Sequence, residues 1–192
     1  VGDGLSERLI KIVRGSASLM TVLTVLRARG LSDALVMSGA VYQTAWNSLT
    51  GRPADYGIKD YDVGYFDPDT SYESEDVVIR GVAAGFDEPL RSKVEVRNQA
   101  RVHLWFEAHF GHAYGEPLTS TAEALTRFVC PAFAIGVRLE SDDSVTVAAP
   151  FGLDDVFAMR LRPNPLRVPS TDWQRIVTSV TTRWPEAVVD PS

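Results

Sequence analysis

The chain has 192 residues, 19 of them Lys or Arg and 25 Asp or Glu, for a net charge of -6. That surplus of acid works against wrapping an extended nucleic acid, where binding is driven by Lys and Arg displacing phosphate counterions. The 45% hydrophobic and 23% charged residues lie near ordinary globular usage, and the single cysteine, Cys130, rules out an internal disulfide.

Leu5, Leu9, Ile12 and Val13 recur at helical spacing, and after a break at Gly15-Ser16 a second set, Leu19, Val22, Leu23 and Leu26, runs on to Gly30. The most apolar window, Ala17 to Leu26, is far shorter than the roughly 20 residues of a membrane span, and no leader-like run opens the sequence. A soluble, cytoplasmic protein without membrane contact is expected. Leu35-Val36-Met37 reads as a short buried strand that runs through Ser38-Gly39 into a helix bearing Tyr42, Ala45, Trp46 and Leu49. Such a junction sets free backbone N–H groups and the positive end of a helix at the carboxyl end of a strand, a ready anion site.

After a loop punctuated by Gly51, Pro53 and Gly57, residues 60 to 66 read as a strand. Alternate side chains on a strand share a face, so Asp60 and Asp62 stand together while Tyr61 and Val63 pack on the other side. Two like charges side by side are costly for folding alone, and a divalent metal is the economical explanation. Residues 73 to 84 fit an exposed helix whose acidic start, Glu73, Glu75 and Asp76, suits the helix dipole. Lys93 to Arg97 alternates again: Val94 and Val96 face the core, while Lys93, Glu95 and Arg97 share the opposite face. A third carboxylate thus arrives on the next strand along the chain.

The stretch Asn98 to His103 is rich in hydrogen-bonding groups, and His109-Phe110-Gly111-His112 reads as a loop whose histidine spacing fits no zinc site. Ser120 to Glu123 is a capping box, and residues 134 to 140 and 145 to 149 form a hairpin through Ser141-Asp142-Asp143-Ser144. Leu153 to Leu161 reads as a helix, and a last helix opens at Thr171-x-x-Gln174. The five arginines from Arg160 to Arg183, among a single acid, are the one basic region and could line an acceptor site or a solvated helix face. Element order gives an α+β fold, a small mixed β-sheet flanked by helices. One domain spans 1–192: a helical segment (1–34), a core (35–150) and a C-terminal helical segment (151–192).

An anion-binding turn, two carboxylates on the next strand and a third on a later strand together specify a geometry, and it is the kind of set that two-metal phosphoryl or nucleotidyl transfer needs, in which acidic oxygens hold hard cations ~3.5–4 Å apart. On these residues the sequence resembles the polymerase-β-like nucleotidyltransferase superfamily over Leu35 to about Arg101. More closely, Gly39 to Asn47, Asp60 to Asp67, Val96 to His103 and Ala149 to Asp155 are similar to a little-studied bacterial nucleotidyltransferase-like family. The turn departs from the usual Gly-Gly or Gly-Ser by reading Ser38-Gly39, and about twenty residues separate Gly39 from Asp60.

The resemblance implies an Mg²⁺-dependent enzyme that moves a nucleoside monophosphate from an NTP to an unknown acceptor hydroxyl. It implies Asp60, Asp62 and Glu95 as catalytic and metal-binding residues for two Mg²⁺ ions, with Mn²⁺ as an alternative. It further implies Ser38, Gly39, Lys59, Arg97 and Arg101 as nucleotide-binding residues. A module of the same fold that binds nucleotide without turnover is the competing expectation.

Overall fold

The computed structural model describes residues 3–111, 114–167, 170 and 172–190. Helices α1 (Asp3–Gly15) and α2 (Ala17–Arg29) meet at a 94° bend, where Ser16 caps α2 by accepting a hydrogen bond from the Leu19 N–H. Strand β1 (Leu35–Met37) leads into α3 (Gly39–Leu49), followed by β2 (Tyr61–Tyr65), α4 (Tyr72–Ala83), β3 (Val94–Asn98) and α5 (Val102–Phe110). The chain continues through α6 (Thr121–Leu125), β4 (Gly136–Leu139), β5 (Val145–Ala148), α7 (Asp154–Phe157), β6 (Arg160–Leu161), α8 (Trp173–Arg183) and β7 (Val188–Val189). Among the described residues no single helix is long and apolar enough to cross a membrane.

The α+β expectation is met by a five-stranded mixed sheet in the order β3-β2-β1-β4-β5, with β2 and β3 parallel and the other neighbours antiparallel. Alternation along each strand sorts the two faces. Val36, Tyr61, Val63, Val96 and Val137 enter the main core with Leu9, Leu19, Val41 and Trp46 from the helices. On the other face a smaller cluster, Leu35, Met37, Leu125 and Ala134, is covered by α6. That second face is clothed over β1 and β4 and left open over Asp62 and Glu95.

Helix α3 is buried from Ala40 through Asn47, so it is packed on every side. Its polar residues are satisfied by distant partners. The Asn47 side chain donates to the carbonyls of Ala54 and Tyr56 (3.1 and 2.8 Å) and accepts from the Trp184 indole N–H at 2.9 Å. Trp46 donates to the Val156 carbonyl at 2.8 Å. These bonds tie the 52–58 loop, α7 and the end of α8 to the helix that carries the anion-binding turn.

Three local expectations change. Residues 102–110 form helix α5 and place His109 within it, ended by Gly111 at φ 74, while His112 lies outside the described residues. The stretch 153–161 is a single helical turn followed by β6, because Met159 adopts φ 50 and the chain turns to pair with β7. Asp172 precedes α8 without a side-chain cap, and Thr171 lies outside the described residues.

Candidate active site

Three chain segments meet at one end of the sheet. Met37, the last residue of β1, is the register partner of Asp62, and Asp62 is the register partner of Glu95 on β3. Met37 in turn pairs with Gly136, which pairs with Ala148. One row on the open face therefore reads Glu95, Asp62, Met37, Gly136, Ala148, with neighbouring strands about 4.8 Å apart. Asp60 precedes the first paired residue of β2, and Ser38 follows the last of β1. Gly64, two residues beyond Asp62, has no room for a side chain: a Cβ there would lie 2.7 Å from Met37 Cε and 2.8 Å from Thr121 Cγ2. This close approach lets α6 sit against the sheet beside the carboxylates.

Asp62 is the electrostatic centre of the row. Its pKa is pushed up to about 6, first by burial and then by the negative charges of Asp60 and Glu95, with Arg97 opposing. The causes identify the neighbours: both other acids act on Asp62 through space. Arg97 Nη2 lies 3.9 Å from Glu95 Oε2, but both side chains are about half exposed (51% and 55%), so the pair is weak and its partners remain open to a ligand. Lys59 is exposed, one residue ahead of Asp60.

Among the described residues, no group of three or more His, Cys, Asp and Glu side chains is drawn tightly enough together to hold a metal ion. What the structure does bring to one strand end is three carboxylates, Asp62 and Glu95 as register partners on adjacent strands and Asp60 just ahead of β2.

The turn before α3 is strained in an informative way. Ser38 holds φ 51 and ψ -111, a conformation that costs a residue bearing a Cβ of order 1–3 kcal/mol. Its N–H donates to the Ile135 carbonyl at 2.7 Å, and its own carbonyl accepts from Val41 and Tyr42 at 2.9 and 3.0 Å. The Ser38 hydroxyl makes no capping bond, so the first N–H groups of α3, those of Gly39 and Ala40, keep the donor character of a helix start.

Arg101 is not brought to this site. It forms an ion pair with Glu75, at side-chain exposures of 13% and 9%, past the far end of β3. Glu75 also accepts from the Asn98 N–H at 2.8 Å, so it is a buried structural partner in addition to lying in the first turn of α4. The C-terminal arginines are mostly engaged too: Arg160 with Asp190, Arg162 with Asp155 and Arg175 with Asp172. Arg183 differs. Its guanidinium donates to the Gly57 carbonyl at 3.2 Å and acts on the Tyr42 hydroxyl, beside α3. Gln43 lies there as well, its Nε2 donating to the Tyr42 hydroxyl at 3.3 Å. Position i+4 from Gly39 was a readable signal for Gln43; nothing local marks Arg183. A cavity of about 240 Å³ between α2 and the β4–β5 hairpin, lined by Leu26, Ala34 and Leu139, lies at the other end of the sheet from the acids.

A protein family described as Nucleotidyltransferase matches residues 24–189. Among solved structures, an NMR structure reported to reveal a CCA-adding enzyme head domain is similar over 97% of this chain and 96% of that one, with 24% identity and a TM-score of 0.75. A tRNA-processing enzyme complex is similar over 88% of this chain and 43% of that one, with 18% identity and a TM-score of 0.52. The chain therefore spans nearly all of the first and under half of the second. Among curated proteins, none matches the sequence.

Proposed function

We propose that this chain, which belongs to the nucleotidyltransferase family matched over residues 24–189, transfers a nucleoside monophosphate from an NTP to an acceptor hydroxyl. The observation that carries the reading is the pairing of Asp62 with Glu95 on the open face, beside the amino end of α3. Asp60, Asp62 and Glu95 are the residues that would hold divalent cations, Mg²⁺ by oxygen-donor chemistry, which supply charge neutralisation at the phosphoryl group and a lowered pKa at the acceptor oxygen.

The chain's own groups divide the remaining work. The Gly39 and Ala40 N–H groups, with the positive end of α3 behind them, hold phosphate oxygens in place. Lys59 and Arg97, both exposed at this end of the sheet, offset charge that accumulates on the leaving group. Glu95, whose side chain is 55% exposed, is open to an incoming acceptor and takes its hydroxyl proton. The acceptor oxygen forms a bond to the α-phosphorus, the bond from that phosphorus to the α,β-bridging oxygen breaks, and pyrophosphate leaves.

The test is incubation of the purified protein with each α-labelled NTP, Mg²⁺ and a cell extract, following label transfer and pyrophosphate release. Transfer by the wild type and its loss in Asp62→Asn are expected. Binding of an NTP with no pyrophosphate released in any extract would leave only a nucleotide-binding module. Because one of the similar structures is described as a tRNA-processing enzyme complex, tRNA is a first acceptor to add in pure form.

A further inference from the structure

Arg167 is the arginine of the C-terminal segment with neither an acidic partner nor a place beside α3; among the described residues its guanidinium donates only to the Arg127 carbonyl. That bond sets it next to a second cation. Arg127 is seated on the 114–116 turn: Nη1 donates to the Tyr114 carbonyl at 2.5 Å, Nη2 to the Glu116 carbonyl at 2.9 Å, and the guanidinium lies over the Tyr114 ring at 4.6 Å. Gly115, at φ 96, leaves room for this seat, because a Cβ there would lie 2.9 Å from Arg127 Nη1. Asn164, 2% exposed, fixes the other side: it donates to the carbonyls of Thr126 and Phe128 at 2.8 and 2.7 Å and accepts from the Leu166 N–H at 2.9 Å.

Two guanidiniums are thereby built into one place, an arrangement that like charges oppose. Among the described residues the acid within ion-pair reach is Glu123, 3.8 Å from Arg127, and it is already held by the Thr119 N–H and hydroxyl at 2.8 and 2.9 Å. Burial lowers the Arg167 pKa and the Arg127 charge lowers it further, with the Tyr114 hydroxyl opposing both. Carbonyl dipoles orient the pair without cancelling its charge, and they engage few of the five N–H donors that each guanidinium carries. Guanidinium forks and a phenol hydroxyl match the oxygens of a phosphate, and two cations match a monoester, with a charge of about -2 at neutral pH, better than a diester with one.

The place is near the acids. Helix α6 crosses the open face of the sheet: its first residue brings Thr121 Cγ2 to 2.8 Å from a Cβ built on Gly64, and its last brings Leu125 Cδ1 to 3.4 Å from one built on Gly136. Gly136 shares the row of Asp62 two strands away, about 10 Å, and Arg127 follows Leu125 by two residues.

We propose that Arg127, Arg167 and the Tyr114 hydroxyl bind a phosphate group carried by the acceptor, and that the acceptor is a compact phosphomonoester with a free hydroxyl. The assignment to an acceptor rests on the nucleotidyl-transfer reading above; the anion site itself does not. Its phosphate is separate from those of the NTP, which lie at the start of α3 in that reading.

Two measurements test it. Titration calorimetry of glycerol 3-phosphate without divalent ions, on the wild type, Arg167→Gln and Tyr114→Phe, reads the site directly; Tyr114→Phe keeps the ring beneath Arg127 and so preserves the seat. Loss of a hydrogen bond to a charged group predicts about tenfold weaker binding in each variant, with the affinity for ATP in Mg²⁺ unchanged. Equal glycerol 3-phosphate affinity in the three proteins, or no binding by the wild type, overturns the site. Label transfer from an α-labelled NTP into cell extract reads the role: pretreating the extract with phosphatase is expected to abolish transfer by the wild type, and Arg167→Gln to need about tenfold more extract for half-maximal transfer. Unchanged transfer into phosphatase-treated extract overturns the phosphomonoester assignment, as does a labelled product lost to nuclease pretreatment and not to phosphatase. A wild type that binds glycerol 3-phosphate through Arg167 and transfers no label fails the nucleotidyl-transfer reading, and the acceptor role with it, while the anion site stands.

Discussion

Asp62 on β2 and Glu95 on β3 are direct register partners on parallel strands, so their side chains leave the sheet from the same row and the same face. Parallel pairing matters here, because it puts the amino ends of both strands at the carboxyl end of β1, where Ser38 turns the chain into α3. The carboxylates and the helix start are thereby fixed by backbone hydrogen bonds and by the register, before any ligand is considered.

Charge crowding in that row predicts a stability gain when it is relieved. In metal-free protein, Asp62→Asn removes a buried charge that Asp60 and Glu95 both repel. The gap between its pKa of about 6 and the ordinary 3.8 corresponds to at most about 3 kcal/mol. Chemical denaturation at pH 7 without divalent ions is expected to show Asp62→Asn more stable than wild type by about 1–3 kcal/mol. A variant less stable than wild type would mean that Asp62 is held by attractive contacts instead.

The same group sets a pH dependence whose sign is fixed. A carboxyl with a higher pKa in the folded chain than in the unfolded chain binds its proton more tightly when folded. Its contribution to stability is therefore greatest below about pH 3.8 and is lost as pH rises to about 6. Between pH 4 and 6.5 the metal-free wild type is expected to lose stability relative to Asp62→Asn, and the difference between the two is the quantity to plot. Parallel curves for the two proteins across that range would contradict the assignment.

Arg101 separates folding from binding. Its pairing with Glu75 is nearly enclosed, and removing one member of a buried pair typically costs about 3–5 kcal/mol because the other charge is left without compensation. Arg101→Ala is expected to lower stability by about 3 kcal/mol, with Glu75→Gln a milder case, while NTP affinity measured on the folded fraction stays at the wild-type value. A selective loss of NTP affinity in a protein of unchanged melting temperature would return Arg101 to the site.

How far the sequence exposed these features depends on the range of the interaction. The β1–α3 turn, the Asp60 and Asp62 spacing and the alternation around Glu95 are local patterns of period two or of strand-turn-helix order, and the structure reproduces their elements within a residue or so at each end. Arg101 sits only four residues from Arg97, yet the strand ends between them and the chain enters a helix, so proximity in sequence did not mean proximity in space. Arg183 is the converse: it reaches Gly57 across 126 residues, through the packing of Trp184 on Asn47. The β6–β7 pair was hidden for the same reason, being two-residue strands joined only by long-range pairing.

Ser38 offers the sharpest separation of backbone from side chain. At φ 51 the Ser38 Cβ is strained and a glycine is not, so Ser38→Gly relieves strain while giving up conformational restriction in the unfolded chain. The two effects nearly offset, and stability is expected to stay within about 1 kcal/mol of wild type or to rise. With the backbone preserved, any change in NTP affinity reports on the hydroxyl alone. Weaker NTP binding by Ser38→Gly at unchanged melting temperature assigns the Ser38 hydroxyl to a phosphate oxygen. Equal affinity assigns phosphate binding to the Gly39 and Ala40 N–H groups, which the substitution leaves in place. A fall in melting temperature large enough to mark a lost structural bond would be unexpected, since the hydroxyl caps nothing in α3.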